Sequence, residues 1–238
     1  MTRKRQLVFD LGYRPDFAAE EFLLSDCNRT AWTAIQNWER WPRRRLALTG
    51  PEGSGKTHLA AIWGHRTGAL RMHAAELTEA RLHRLMEAPA VVVENIDRMA
   101  VLPQPVRQQI EMLLLHLFNL TAAEDIPLLL TGRRAPGHWR IESPDLASRL
   151  AAMPQAAIMP PDDAILSRLL IKLFRDRHQD VGEDVTEFLL RRMERSFAAA
   201  RELVAALDHK ALAERRRITR PLAIEYFAAQ MDEKGEGE

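Results

Sequence analysis

One octapeptide constrains this chain more than any other feature. Gly50-Pro51-Glu52-Gly53-Ser54-Gly55-Lys56-Thr57 fits G-x-x-x-x-G-K-[ST] without a gap. It follows the apolar run at residues 46–49 and opens a segment containing Leu59, Ala60, Ala61 and Ile62, so the expected context is strand, loop, helix. The glycines let backbone N–H groups turn inward around phosphate oxygens. The helix N-terminus adds its own positive field. Lys56 is placed to reach terminal phosphates and Thr57 to hold Mg²⁺. A glycine turn with no ligand is the competing reading, and the strand–loop–helix context disfavours it. The nucleotide-binding set read here is Gly50, Pro51, Glu52, Gly53, Ser54, Gly55, Lys56, Thr57 and His58, for ADP or ATP with Mg²⁺.

Around this motif, short apolar runs at 46–49, 69–73, 90–93, 128–131 and 156–159 alternate with helical patterns at 57–66, 76–86 and 105–121. The last helix places Val106, Ile110, Leu113, Leu114 and Leu117 on one face. Such alternation predicts an α/β fold, a parallel five-stranded sheet flanked by helices. After Pro160-Pro161 the texture becomes helical to about Gln230, with Asp162 and Asp163 suited to the first helix's positive end. The expected organisation is a peptide at 1–14, an α/β nucleotide-binding domain at 15–160, a small all-α lid at 161–231 and a disordered tail at 232–238.

A metal-side acid is expected at the end of another strand. Val91-Val92-Val93-Glu94-Asn95-Ile96-Asp97 has that form, with Glu94 beside the metal and Thr57. Asn95 follows, where an active ATPase keeps a carboxylate; an amide cannot take a proton, so either Asp97 substitutes or hydrolysis on this chain is slow. Thr131, ending the run Leu128-Leu129-Leu130, is placed to sense the terminal phosphate. Arg149 lies between that strand and the last one, where a guanidinium can project toward a neighbour's nucleotide.

Charge sets limits on partners. The chain has 34 basic and 33 acidic residues, a net +1, so bulk electrostatics do not argue for nucleic-acid binding. Arg215-Arg216-Arg217 with Arg220 form a local basic cluster, read either as a solvated helix end or as a contact for an acidic partner or DNA. Cys27, the single cysteine, reads as a small core or surface residue. No apolar run is long enough to span a bilayer and no signal-peptide core follows the basic start, so no membrane partner and a cytoplasmic location are expected.

Taken together these residues resemble the DnaA-related branch of the AAA+ family, and within it the Hda family of regulatory inactivators. Pro144-Asp145-Leu146-Ala147-Ser148-Arg149-Leu150 resembles the family's arginine-finger box. Leu129-Leu130-Thr131-Gly132 with Arg134-Ala135-Pro136 resembles its first sensor, and Glu94-Asn95 its acid–amide pair. Phe22, Ser25, Asn28 and Ala31 match the segment that closes over adenine in relatives; Trp32, Trp38, Trp41 and Trp63 read most simply as core or surface anchors, with Trp38 or Trp41 alternatively placed to support the base. Arg201-Glu202-Leu203 looks like the arginine-led second-sensor helix, although a gap-free alignment from Phe188 puts Ala198 there instead.

Gln6-Leu7-Val8-Phe9-Asp10-Leu11 resembles the motif that binds the bacterial sliding clamp, burying Leu7, Phe9 and Leu11 while Gln6 fixes polarity. By itself the peptide reads equally as an N-terminal strand or hydrophobic staple; beside an Hda-like body the clamp reading is favoured. The resemblance implies a regulator that binds the DNA polymerase III sliding clamp (its beta subunit) and uses Arg149 to stimulate ATP hydrolysis by DnaA, preventing re-initiation. It implies weak or absent hydrolysis by the chain itself, no sequence-specific DNA binding, and room for a homodimer. The alternatives are a DnaC-like helicase loader, another DnaA-related ATPase, or a truncated DnaA-like DNA binder.

Overall fold

The computed structural model describes residues 22–235, with side chains to residue 230. Gln6, Leu7, Phe9 and Leu11, and with them the whole peptide 1–14, lie outside the described residues. The strands β1 (Arg45–Thr49), β2 (Leu70–His73), β3 (Val91–Glu94), β4 (Leu128–Gly132) and β5 (Gln155–Ala157) form one parallel sheet in the order β2-β3-β4-β1-β5. Every residue of β1, β3 and β4 is buried, as expected of parallel strands covered on both faces. That is why they read as unbroken Leu, Ala and Val runs.

Helices α1 (Asp26–Gln36), α2 (Lys56–Thr67), α3 (Glu79–Met86), α4 (Gln104–Ala123) and α5 (Pro144–Ala151) flank the sheet. The lid consists of α6 (Asp163–Arg175), α7 (Glu183–Leu190), α8 (Phe197–Glu214) and α9 (Arg220–Gly235). Caps set several boundaries. The helix expected from 76 starts later because Ala74–Glu76 forms a 3-10 turn and Thr78 caps α3, accepting from the Arg81 N–H at 3.3 Å. Asp162 caps α6 through the Ile165 N–H at 2.8 Å, as its position beside Asp163 suggested. The expected strand at 156–159 leaves the sheet after Ala157, since the Met159 N–H donates to the Cys27 carbonyl in α1 at 2.7 Å. At the other end, α9 continues to Gly235, beyond the Gln230 limit of the helical pattern and into the segment read as a tail.

The period of two along the strands divides the interior. Leu128 and Leu130 face a core with Val91, Val93, Leu114 and Leu117, between the sheet and helices α3, α4 and α5. Leu129, Leu48 and Val92 face the other, which is continuous from α1 and α2 through Ile158 into Leu166, Leu170, Val204 and Leu207 of the lid. Trp63 on α2 is fully buried in that second core. Trp41 stacks on it at 5.1 Å and donates Nε1–H to the Ala34 carbonyl at 2.8 Å; Trp38 meets it edge-on at 6.2 Å. Both tryptophans thus pack on Trp63 of α2, with Trp41 also bonded to α1, in keeping with the anchor reading rather than support of a base.

Replacing Trp63 with Ala should remove about 3–5 kcal/mol of unfolding free energy, as for a large buried aromatic. Urea denaturation measures this, and a loss below about 1 kcal/mol would contradict the packing described.

Candidate functional site

The loop after β1 is shaped by glycines where side chains have no room. Gly53 (φ 72°) and Gly55 (φ 95°) occupy left-handed conformations. A Cβ at Gly53 would lie 2.9 Å from the Ala198 nitrogen, and one at Gly55 would lie 3.1 Å from the Phe22 ring. The loop ends at Lys56, the first residue of α2, so its amides gather at a helix N-terminus. The Lys56 side chain is buried with the loop: Nζ donates to the carbonyls of Gly50 at 2.8 Å and Pro51 at 2.6 Å, with Ser54 Oγ at 3.4 Å. Burial pushes its pKa down to about 8; Asp97 and Glu52 oppose that fall, while Arg133 and Arg98 add to it. The result is a compact cation enclosed by backbone oxygens that an anion can replace.

Thr57 donates its hydroxyl to Glu94 Oε2 at 2.7 Å. Glu94 is buried, and its other oxygen, Oε1, accepts from Arg71 Nη2 at 2.7 Å. One hydroxyl and one carboxylate beside a phosphate cradle fit Mg²⁺, which keeps water and phosphate oxygens as most of its ligands. Arg71, from β2, shares the same acid. Asn95 adopts a left-handed conformation (φ 59°), and its Nδ2 meets His73 Nδ1 at 2.9 Å. Its N–H donates to Thr131 Oγ1 at 3.1 Å. Thr131 is therefore buried as a tie between β3 and β4, and Arg133, two residues further on, lines the cleft from that strand's end. Asp97 has a buried Oδ1 without a hydrogen-bond partner.

The lid closes the other side. Phe22, Leu23, Asn28 and His58 line one part of the cleft together with Ile165, Leu169 and Lys172 of α6 and Phe197 of α8. Phe22 stacks on Trp32 at 5.4 Å and meets His58 edge-on at 5.4 Å. Asn28 holds the segment in place, accepting from the Ser25 N–H at 2.9 Å and donating to the Leu23 carbonyl at 2.8 Å. Ala31 is fully buried in the core beneath it, and Cys27 is a buried thiol at 2.9 Å from Ser25 Oγ. Arg201 lines both parts of the cleft, one turn beyond Ala198, so both second-sensor candidates face the same opening.

Arg149 lies elsewhere. Its half-exposed side chain shares a groove with Arg43, Arg45 and Pro154, beside the first residue of β1, whereas the P-loop follows the last. Nε donates to Asp145 at 2.7 Å, one turn back on α5. Arg45 is buried over the Phe118 ring at 3.7 Å, and burial first, then the charges of Arg43 and Arg149, lower its pKa. The start of α5 is held by Glu111 of α4, a buried carboxylate accepting from the N–H groups of Glu142 at 3.0 Å and Ser143 at 2.8 Å. In the basic cluster after α8, Arg216 pairs with Glu214 at 2.8 Å and Glu225 at 2.8 Å, which favours the helix-end reading.

The structure thus brings Glu52 to His58 and Arg201 around one cleft, ties Gly50 and Pro51 to it through Lys56 and Glu94 through Thr57, and keeps Arg149 apart. It adds Arg71, Arg98 and Arg133, which sequence reasoning missed. Their signal was faint: Arg133 directly follows β4, Arg98 stands four residues after β3 and Arg71 two before the end of β2, all on the side where ligands of an open parallel sheet gather.

Comparison with known proteins supports this architecture. The family model for the Hda lid domain matches residues 166–226. The chromosomal replication initiator protein DnaA of Thermomicrobium roseum is 28% identical over 243 residues, covering 90% of this chain and 50% of that protein. The chain therefore spans about half the length of the curated relative it matches. Domain III of the DnaA of Thermotoga maritima superposes with a TM-score of 0.71 at 17% identity, covering 90% of this chain and 96% of that one. AMPPCP-bound DnaA from Aquifex aeolicus gives 0.68 at 14% identity, covering 93% and 71%. The FIGL-1 AAA domain in complex with ADP gives 0.60 at 17% identity, covering 84% and 77%.

Lys56 has a testable pH signature. Its folded pKa of about 8 lies below the ordinary lysine value of 10.5, so between these pH values the unfolded chain holds more protons and this group's penalty on folding is relieved as pH rises. Relative to Lys56→Met, the parent should gain stability from pH 8 to pH 10.5 in urea unfolding. A flat difference across that window would contradict the depressed pKa.

Proposed function

Because the chain is an AAA+ protein related to DnaA and carries an Hda-type lid, we propose that it is a nucleotide-bound regulator of replication initiation that presents Arg149 to ATP held by DnaA. Its own cleft takes ADP or ATP. Lys56 leaves the carbonyls of Gly50 and Pro51 for phosphate oxygens, and the loop amides and α2 N-terminus complete the cradle. Thr57 and Glu94 would hold Mg²⁺, which supplies charge neutralisation between phosphates. Phe22 and the start of α8 cover the base, and Arg201 approaches from the lid. Asn95 cannot accept a proton, so the resident nucleotide acts chiefly as a structural wedge that sets the lid.

The observation that carries the regulatory half is the separation of Arg149 from its own P-loop. Arg45, beside Arg149, begins the five-residue strand whose other end leads into the loop. At about 3.3 Å per residue, that is about 15 Å. Arg149 therefore has no way to serve its own nucleotide and is available for another molecule's. A guanidinium aimed at charge building on a transferred phosphoryl group is worth about 10³–10⁵ in kcat. Gln6, Leu7, Phe9 and Leu11 would supply the tether to the sliding clamp and raise the local concentration of the finger near DnaA on DNA.

The test mixes the full chain with DNA-loaded clamp and DnaA–ATP and follows phosphate release. Arg149→Ala should abolish the stimulation, a loss of at least about 10³ in the stimulated rate if the finger is essential, while leaving clamp capture intact. Gln6→Ala with Leu7→Ala should remove clamp capture and, with it, the stimulation. If both variants stimulated like the parent, this mechanism would be wrong; binding to the replicative helicase with turnover of the chain's own ATP would favour the helicase-loader reading.

A further inference from the structure

The cleft holds two guanidinium groups whose only described carboxylate contact is shared. Arg98, on the 3-10 segment Ile96–Val101 after β3, donates Nη2 to Glu52 Oε1 at 3.1 Å. Arg133, directly after β4, reaches Glu52 Oε2 at 2.5 Å. Glu52 belongs to the P-loop itself, so one acid of the cradle is bridged to both arms. All three line the cleft with Lys56 and Thr57. The arms come from the ends of β3 and β4, and β4 is the strand hydrogen-bonded to β1 on that side.

We infer that Arg98 and Arg133 form a clamp for the third phosphate of a bound nucleoside triphosphate, kept in place by Glu52 until that phosphate displaces it. The inference rests on the nucleotide-binding reading above and adds selectivity between diphosphate and triphosphate. Several facts favour it. Both guanidinium charges act on the Lys56 ammonium, so they stand close to where phosphate oxygens replace its carbonyl partners. Glu52 is about half exposed, at 52%, which leaves its ion pairs screened by water and easily exchanged. A phosphate accepts two-pronged bonds from a guanidinium fork and carries more charge than the carboxylate it would replace. Neither Arg98 nor Arg133 is needed to build the fold: their side chains are 56% and 41% exposed.

A diphosphate satisfies Lys56 and the loop amides and leaves Glu52 holding both arms. A triphosphate brings an extra anion to the strand ends, draws in Arg98 and Arg133 and leaves Glu52 turned to solvent. The P-loop acid then acts as a competitor that a third phosphate outbids and a second does not.

Calorimetric titration of the full chain with ADP and with AMPPCP tests this. Arg133→Ala and Arg98→Ala should each weaken AMPPCP about ten- to a hundredfold, the loss of one charge-assisted contact, and change ADP affinity by less than about threefold. Arg133→Gln should behave as Arg133→Ala does, and Glu52→Gln should tighten AMPPCP relative to ADP. Retained ADP binding certifies that each variant is folded. Equal losses for both nucleotides, or none, would overturn the clamp while leaving the P-loop reading intact. A parent chain that binds neither nucleotide would overturn both.

Discussion

With only hydrogen on its α-carbon, Gly53 lets the first turn of α8 settle directly against the P-loop, where a Cβ would stand 2.9 Å from the Ala198 nitrogen and 3.0 Å from the Phe197 carbonyl carbon. Backbone meets backbone, so lid and cradle define one another's position to within a hydrogen atom's radius. Phe197 and Arg201 enter the cleft from that same turn and the next. The shared core behind it, from Trp63 and Ile158 to Leu166 and Leu207, fixes the angle at which the turn arrives. A larger residue at position 53 would wedge the two apart and displace every group that the lid contributes.

The electrostatics of the cleft run on exchange between partners already present. Lys56 is held by carbonyls, Glu94 by Thr57 and Arg71, and Glu52 by Arg98 and Arg133. These three charges are thus satisfied without a ligand, which keeps their desolvation costs low, whereas Asp97 keeps one buried oxygen without a partner. Under the proposed function a nucleotide would bind partly by substitution, taking over Lys56 and the arginines from the internal partners that now hold them.

Much of this was legible in the sequence, for identifiable reasons. The P-loop spacing dictates both a chain reversal and a helix start, so Gly50 to Thr57 mapped directly onto structure. The central strands β1, β3 and β4 were visible because their burial on both faces leaves Leu, Ala and Val runs, whereas β2 and β5 at the sheet edges are only partly buried and more mixed in sequence. The lid's helical stripes were equally plain, although Thr78 and the turn before it moved the start of α3 in a way that periodicity does not report. Side-chain partnerships were the opaque part. Thr131 reads as a phosphate sensor because it ends an apolar run; that its hydroxyl oxygen also accepts from the Asn95 N–H, tying β3 to β4, is nowhere in the pattern. Trp38 and Trp41 looked available for a base, and only the packing on Trp63 shows where they went. Arg71, Arg98 and Arg133 were invisible as site residues because an arginine at a strand end carries no pattern of its own; its meaning comes from the acid across the cleft.

The buried Glu111 carboxylate has a mechanical consequence. By accepting the Glu142 and Ser143 N–H groups, it rivets the entrance of α5 to the middle of α4, and Leu146 and Leu150 sink the helix into the same core. The helix under Arg149 is therefore anchored at its start by a buried acid and along its length by two core leucines. Under the proposed function, an Arg149 carried on a helix so anchored makes the reach of its own side chain the ruler against which a partner's docking pose would be measured.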